Sequence, residues 1–70
     1  MNIKPGDILI DNDPRVEGRS LTVVGVGYSQ KKSAMVVDAK NRMGLQVSIR
    51  LDRIHADGKQ RRTGFTLATR

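Results

Sequence analysis

The chain has no cysteine and no tryptophan, and its only aromatic side chains are Tyr28 and Phe65. Each absence closes off a class of function. Without cysteine there is neither a disulfide framework nor a thiolate metal site, and a reducing cytoplasm is the natural expectation. Two rings cannot supply the successive stacking platforms of single-strand binders, the aromatic grooves that hold proline-rich peptides, or the cage around a methylated lysine. The sole histidine, His55, has no thiol to work with, and no nucleophile motif surrounds the serines. No nucleophile and base can be assembled, so the expectation is a protein without catalysis and without a cofactor. Gly25-Val26-Gly27 is a fragment of a dinucleotide fingerprint with no helix behind it, and no P-loop occurs. No apolar run approaches the roughly 20 residues that span a bilayer, and no signal-peptide order opens the chain. Neither a membrane nor a small-molecule substrate is expected as a partner.

The length, 70 residues, makes a single domain over residues 1–70. A chain this short buries only about 60% of the surface that its unfolded form exposes. The formal net charge is +6 and is unevenly placed. Residues 1–35 carry five Lys and Arg against four Asp and Glu, whereas residues 36–70 carry eight against three. Such an excess is the electrostatic footprint of a nucleic-acid binder, equally of a module that docks on an acidic protein, and also of a solvated surface that keeps a protein soluble.

Turn residues and apolar runs predict five strands. Lys4-Pro5-Gly6-Asp7 is a turn that leads into a first strand, 7–11. A long loop follows, ordered by Asp and Asn side chains that bond backbone two residues on, by Pro14 and by Gly18. The second strand, 19–28, is apolar on both faces around Val23 and Val24, and Gly25 and Gly27 predict a bulge or bend. After a polar connection, 33–39 forms a third strand with Met35 and Val37 on one face. A tight turn at 40–44 precedes the clearest periodicity in the chain, in which Leu45, Val47, Ile49 and Leu51 alternate with Gln46, Ser48 and Arg50 to give one buried face. One 3₁₀-like turn over 52–55 and a last strand, 63–69, burying Phe65 and Leu67, complete an all-β reading with no segment of helical period. Five short strands in this order, with one 3₁₀ turn before the last, predict a small SH3-like barrel, which also removes exposed sheet edges.

Pro5-Gly6-Asp7-Ile8, with Glu17-Gly18-Arg19 and Val23-Val24, resembles the opening of KOW-type SH3-like modules of transcription elongation factors and ribosomal proteins. A broader pattern spans nearly the whole chain. Asp11-Asn12-Asp13-Pro14-Arg15, Gly18-Arg19, Ile49-Arg50-Leu51-Asp52-Arg53-Ile54 and Thr63-Gly64-Phe65-Thr66-Leu67 resemble a pattern of short proteins encoded by bacteriophages and prophages. That resemblance implies a mobile-element setting in a bacterial host cell and brings no activity or functional residue with it.

Candidate sites follow from the charged residues. Asp7, Asp11, Asp13 and Glu17 superficially resemble the start of a calcium loop, but Arg15 and Val16 stand where a ligand and a glycine are needed, so no metal is expected. Lys59-Gln60-Arg61-Arg62, between Gly58 and Gly64, projects three cations from one loop and suits phosphate contact, with Lys31 and Lys32 extending the patch. Arg15, Arg19, Arg50 and Arg53 lie in the distinctive segments. They read either as structural forks that hold loops together, Arg15 on Asp13 and Arg53 on Asp52, or as ligand contacts. The expected activity is binding of duplex DNA or structured RNA through the backbone, the alternative being docking on an acidic host or phage protein.

Overall fold

The computed structural model describes residues 2–16, 18–57 and 61–68. The chain is all-β, but it forms six strands rather than five: β1 (Ile8–Asp11), β2 (Ser20–Ser29), β3 (Ala34–Lys40), β4 (Gln46–Arg50), β5 (Ile54–His55) and β6 (Phe65–Leu67). They make one sheet in the order β4-β3-β2-β1-β6-β5. All neighbours are antiparallel except β5 and β6, which run parallel through Ile54↔Phe65 and His55↔Thr66. The strand that sequence reasoning missed is β5, which follows the 3₁₀ turn Leu51–Arg53. A second 3₁₀ turn, Pro14–Val16, lies in the first loop.

The sheet curls because its two outermost strands are nearly consecutive in the chain. Five strand spacings would put β4 and β5 roughly 24 Å apart in a flat sheet. A 3₁₀ connection rising about 2 Å per residue keeps the end of β4 within roughly 8 Å of the start of β5. Curling is the only arrangement that meets both distances. No ladder joins β4 to β5 among the described residues, so the sheet remains open and the expected closure is not formed.

Glycine and a bulge make the curl. Val23 pairs with Ala39 and Gly25 with Asp38, so Val24 is an extra residue with no partner. The bulge lets the first half of β2 serve β1 and the second half serve β3, and it increases the local twist. The inner faces of both halves meet in a core of Leu9, Leu21, Val23, Val37, Ala39, Ile49 and Ile54, with Ile3, Val47, Leu51, Phe65 and Leu67 packed against it. Among the described residues no polar side chain is buried.

The β4 alternation is half right. Ile49 is buried and Val47 half-buried, yet Leu45 is 64% exposed. The ladder with β3 ends at Lys40↔Gln46, and the Asn41 N–H donates to the Leu45 carbonyl at 3.0 Å. Leu45 therefore belongs to the turn and lies past the edge of the core. Met35, expected to share a face with Val37, lies outside the core for a similar reason. It faces Tyr28 near the hairpin tip, beyond the core, and both are exposed.

Candidate nucleic-acid interface

The loop after β1 is built by its own side chains. The Asp11 carboxylate accepts the Asp13 N–H at 3.0 Å, and the Asp13 carboxylate accepts the Arg15 N–H at 2.9 Å. These paired Asx turns hand the chain to Pro14, whose fixed φ suits the opening of the 3₁₀ turn. At the neck of the loop the Asp11 N–H donates to the Arg19 carbonyl at 3.0 Å, and the two side chains approach to 3.7 Å.

Asn12 then ties this loop to a segment more than fifty residues away. Its backbone N–H donates to the Gly64 carbonyl at 3.1 Å, its Nδ2 donates to the Thr63 carbonyl at 3.1 Å, and its Oδ1 accepts the Thr66 hydroxyl at 2.7 Å. Gly64 in turn lies against the segment that enters β5. A Cβ on Gly64 would stand 2.5 Å from the Arg53 carbonyl oxygen and 3.0 Å from His55 Nε2. Three distinctive stretches of sequence, 11–15, 49–55 and 63–66, thus converge, held by an amide and a missing side chain rather than by arginine. Neither Asn12 nor Gly64 stood out as a partner in the sequence; only their turn-forming character was legible there.

Asn12→Asp tests this joint. The substitution keeps the acceptor for Thr66 and replaces the donor to Thr63 with a carboxylate oxygen, which faces the Thr63 carbonyl without a hydrogen. Losing that bond should cost about 1–3 kcal/mol, read as a lower urea midpoint. An unaltered midpoint would show that the amide does not join the segments.

The arginines make local pairs. Arg15 Nη2 lies 2.9 Å from Asp13 Oδ2, and its Nε donates to Oδ1 at 3.1 Å. Arg50 holds Asp52 at 2.8 Å, and Arg61 holds Asp57 one helical turn's spacing away. The expected pairing of Arg53 with Asp52 is not formed; the Asp52 carboxylate pairs with Arg50 instead. Neither the Arg15 nor the Arg50 pair bridges two loops, so neither is the fork that the sequence analysis anticipated. Exposed pairs of this kind contribute little to stability. Asp13 is nonetheless held below its ordinary 3.8, first by the Arg15 side-chain hydrogen bond and then by the Arg15 N–H, while Arg15 is raised by the same contact. The contribution of this contact to stability is therefore complete above 3.8 and is lost as pH falls through the lower folded value. Carboxyl carbon NMR should find the Asp13 midpoint below 3.8 and moving up in Arg15→Ala, the backbone bond surviving; an unchanged midpoint would contradict the side-chain contact.

Other cations are not neutralised. The side chains of Arg53 and Arg62 are exposed and have no hydrogen-bonding or ionic partner among the described residues, and the same holds for the side chains of Lys31 and Lys32, although the Lys32 N–H donates to Ser29 Oγ at 3.2 Å. Lys59 lies outside the described residues. The backbone of Arg53 touches Gly64, and Arg62 precedes Thr63, so both belong to the Asn12 joint, together with Arg15, Arg19 and Arg61. Lys31 and Lys32 follow the far end of β2, whereas this joint adjoins its start. Among the described residues the two clusters adjoin opposite ends of a ten-residue strand.

Of the four carboxylates singled out in the sequence, Asp7, before β1, accepts the Lys4 N–H at 3.0 Å, Asp11 and Asp13 are used as described, and Glu17 lies outside the described residues. Among the described residues no three His, Asp or Glu side chains gather to hold a metal, and no helix is long and apolar enough to cross a membrane. No protein-family model, no curated protein and no solved structure matches this chain.

Proposed function

We propose that the protein is a non-catalytic, SH3-like module of phage or mobile-element origin. In this reading it binds duplex DNA or structured RNA through the basic joint at Asn12, inside a bacterial cell. The SH3-like assignment is supported by the antiparallel order of β4 through β1 to β6 and by the 3₁₀ turn after β4, with β5 as an added edge strand. The observation that carries the function is the pair Arg53 and Arg62. They are exposed cations with no ionic partner among the described residues, on a junction anchored by the three hydrogen bonds of Asn12, in a chain of net charge +6. Cations held on a fixed frame meet a phosphate backbone with little ordering cost, and they need no aromatic platform.

Binding to a mixed-sequence duplex should weaken steeply with salt. Arg53→Gln and Arg62→Gln should each reduce the slope of log K against log salt by roughly 0.9. The loss should be equal on unrelated sequences, because phosphate contacts carry no base information. Lys31→Gln and Lys32→Gln, at the other end of β2, should change the slope far less. Absence of binding to duplex or structured RNA at about 50 mM salt, where such contacts are favoured, would overturn the reading and leave an acidic protein surface as the ligand of these arginines.

A further inference from the structure

The open flank of β4 carries an inference independent of nucleic-acid binding. A strand at a sheet edge presents a row of unpaired N–H and C=O groups, and proteins blunt such edges with proline, lysine, bulges or very short strands. The other edge, β5, is two residues long and so is blunted by length. β4 is five residues long, contains neither proline nor lysine, and pairs with β3 without a register shift. Beside it stands Leu45, 64% exposed at one end of the chain's most regular apolar alternation.

We infer that β4 pairs antiparallel with β4 of a second copy of this chain, about a two-fold axis at Ser48. The strand is self-complementary in that register over its whole length. Val47 falls opposite Ile49 of the second copy, which continues the core face across the junction. Gln46 falls opposite Arg50, so no like charges meet, and Ser48 meets Ser48. Leu45 falls opposite Leu51, whose side chain is half-buried at the rim of the core, and so gains the apolar cover that its own chain does not give. A register centred one residue away, on Ile49, would put Arg50 opposite Ser48 but would set Arg53 opposite the exposed Leu45. A register centred on Val47 would run the end of the strand against the turn, with Arg50 opposite Gly44, outside the ladder.

Because the chain has no cysteine, a single introduced one reports the axis. Directly opposed residues of an antiparallel pair lie about 4.5–5.5 Å apart at Cα, inside the range that a disulfide bridges. Ser48→Cys should therefore cross-link to a covalent dimer under oxidised glutathione. Gln46→Cys should not, since its symmetry mate is displaced by four residues, on the order of 13 Å. Sedimentation should show a concentration-dependent dimer of the unmodified chain. Ser48→Lys should abolish that dimer by opposing two like charges, while within its own chain the new lysine stands across from Asp38, so the thermal midpoint of dilute protein is kept. A monomer at every concentration, equal cross-linking of the two cysteine variants, or a dimer that survives Ser48→Lys would each overturn the inference.

Discussion

Replacing Gly64 with alanine should remove a large part of the protein's stability, measured as the urea midpoint of a dilute sample. Two costs add at this position. Gly64 has φ +74°, a left-handed conformation that costs a residue with a Cβ about 1–2 kcal/mol. The new methyl would also stand 2.5 Å from the Arg53 carbonyl oxygen, a backbone atom that cannot swing aside, and overpacking of that kind costs about 1–3 kcal/mol more. A chain of 70 residues has only roughly 4–10 kcal/mol in total. Gly44 supplies the control: its φ is +84°, but nothing lies within 4 Å of where its Cβ would be, so Gly44→Ala should show the first cost alone. If the two variants were equally stable, the close approach of the 53 and 64 backbones would be wrong.

Leu9→Ala should be comparably severe. Leu9 is fully buried at the middle of β1, opposite Leu21 on one side and Leu67 on the other. Truncating a buried leucine costs about 2–5 kcal/mol, the upper end applying where the surroundings cannot collapse into the cavity. β1 is hydrogen-bonded on both flanks, by β2 and by β6, which limits such collapse. Leu45→Ala, in dilute protein, should stay within about 0.5 kcal/mol of the parent, as surface changes do. A loss at Leu45 equal to that at Leu9 would mean that the alternation from 45 to 51 is buried throughout and that the 41–45 turn is misplaced.

What was legible in the sequence was what neighbours in the chain decide. Alternation located β4, and turn chemistry located the loop from Asp11 to Gly18. The glycines at 25 and 27 marked the bend, which the structure realises as the bulge at Val24. What was not legible depends on distant partners. β5 has two residues and no pattern of its own; it is a strand because Ile54 and His55 lie beside Phe65 and Thr66. Asn12 and Gly64 each look like ordinary turn residues until the fold brings them together. The arginine pairs show a finer limit. Asp52 has arginines at 50 and 53, both within reach by spacing, and the pair formed is with Arg50, where the chain passes from extended backbone into the 3₁₀ turn. The basic loop was found from composition, but its separation from Lys31 and Lys32 required the course of β2.

The position of β1 between β2 and β6 has a consequence for how the polypeptide is made. β1 leaves the ribosome before every strand it pairs with, and its partner Leu67 is synthesised 58 residues after Leu9, while Thr66 lies 54 residues beyond Asn12. Until those residues emerge, the flank of β1 that faces β6 has nothing to pair with, and the nascent chain can form only the antiparallel pairings of β1 through β4. Completion of the fold is therefore a late, non-local event, of the sort that sets small β proteins folding in about milliseconds to seconds rather than microseconds. For that interval the apolar side chains of β1 remain available to chaperones and to other nascent chains.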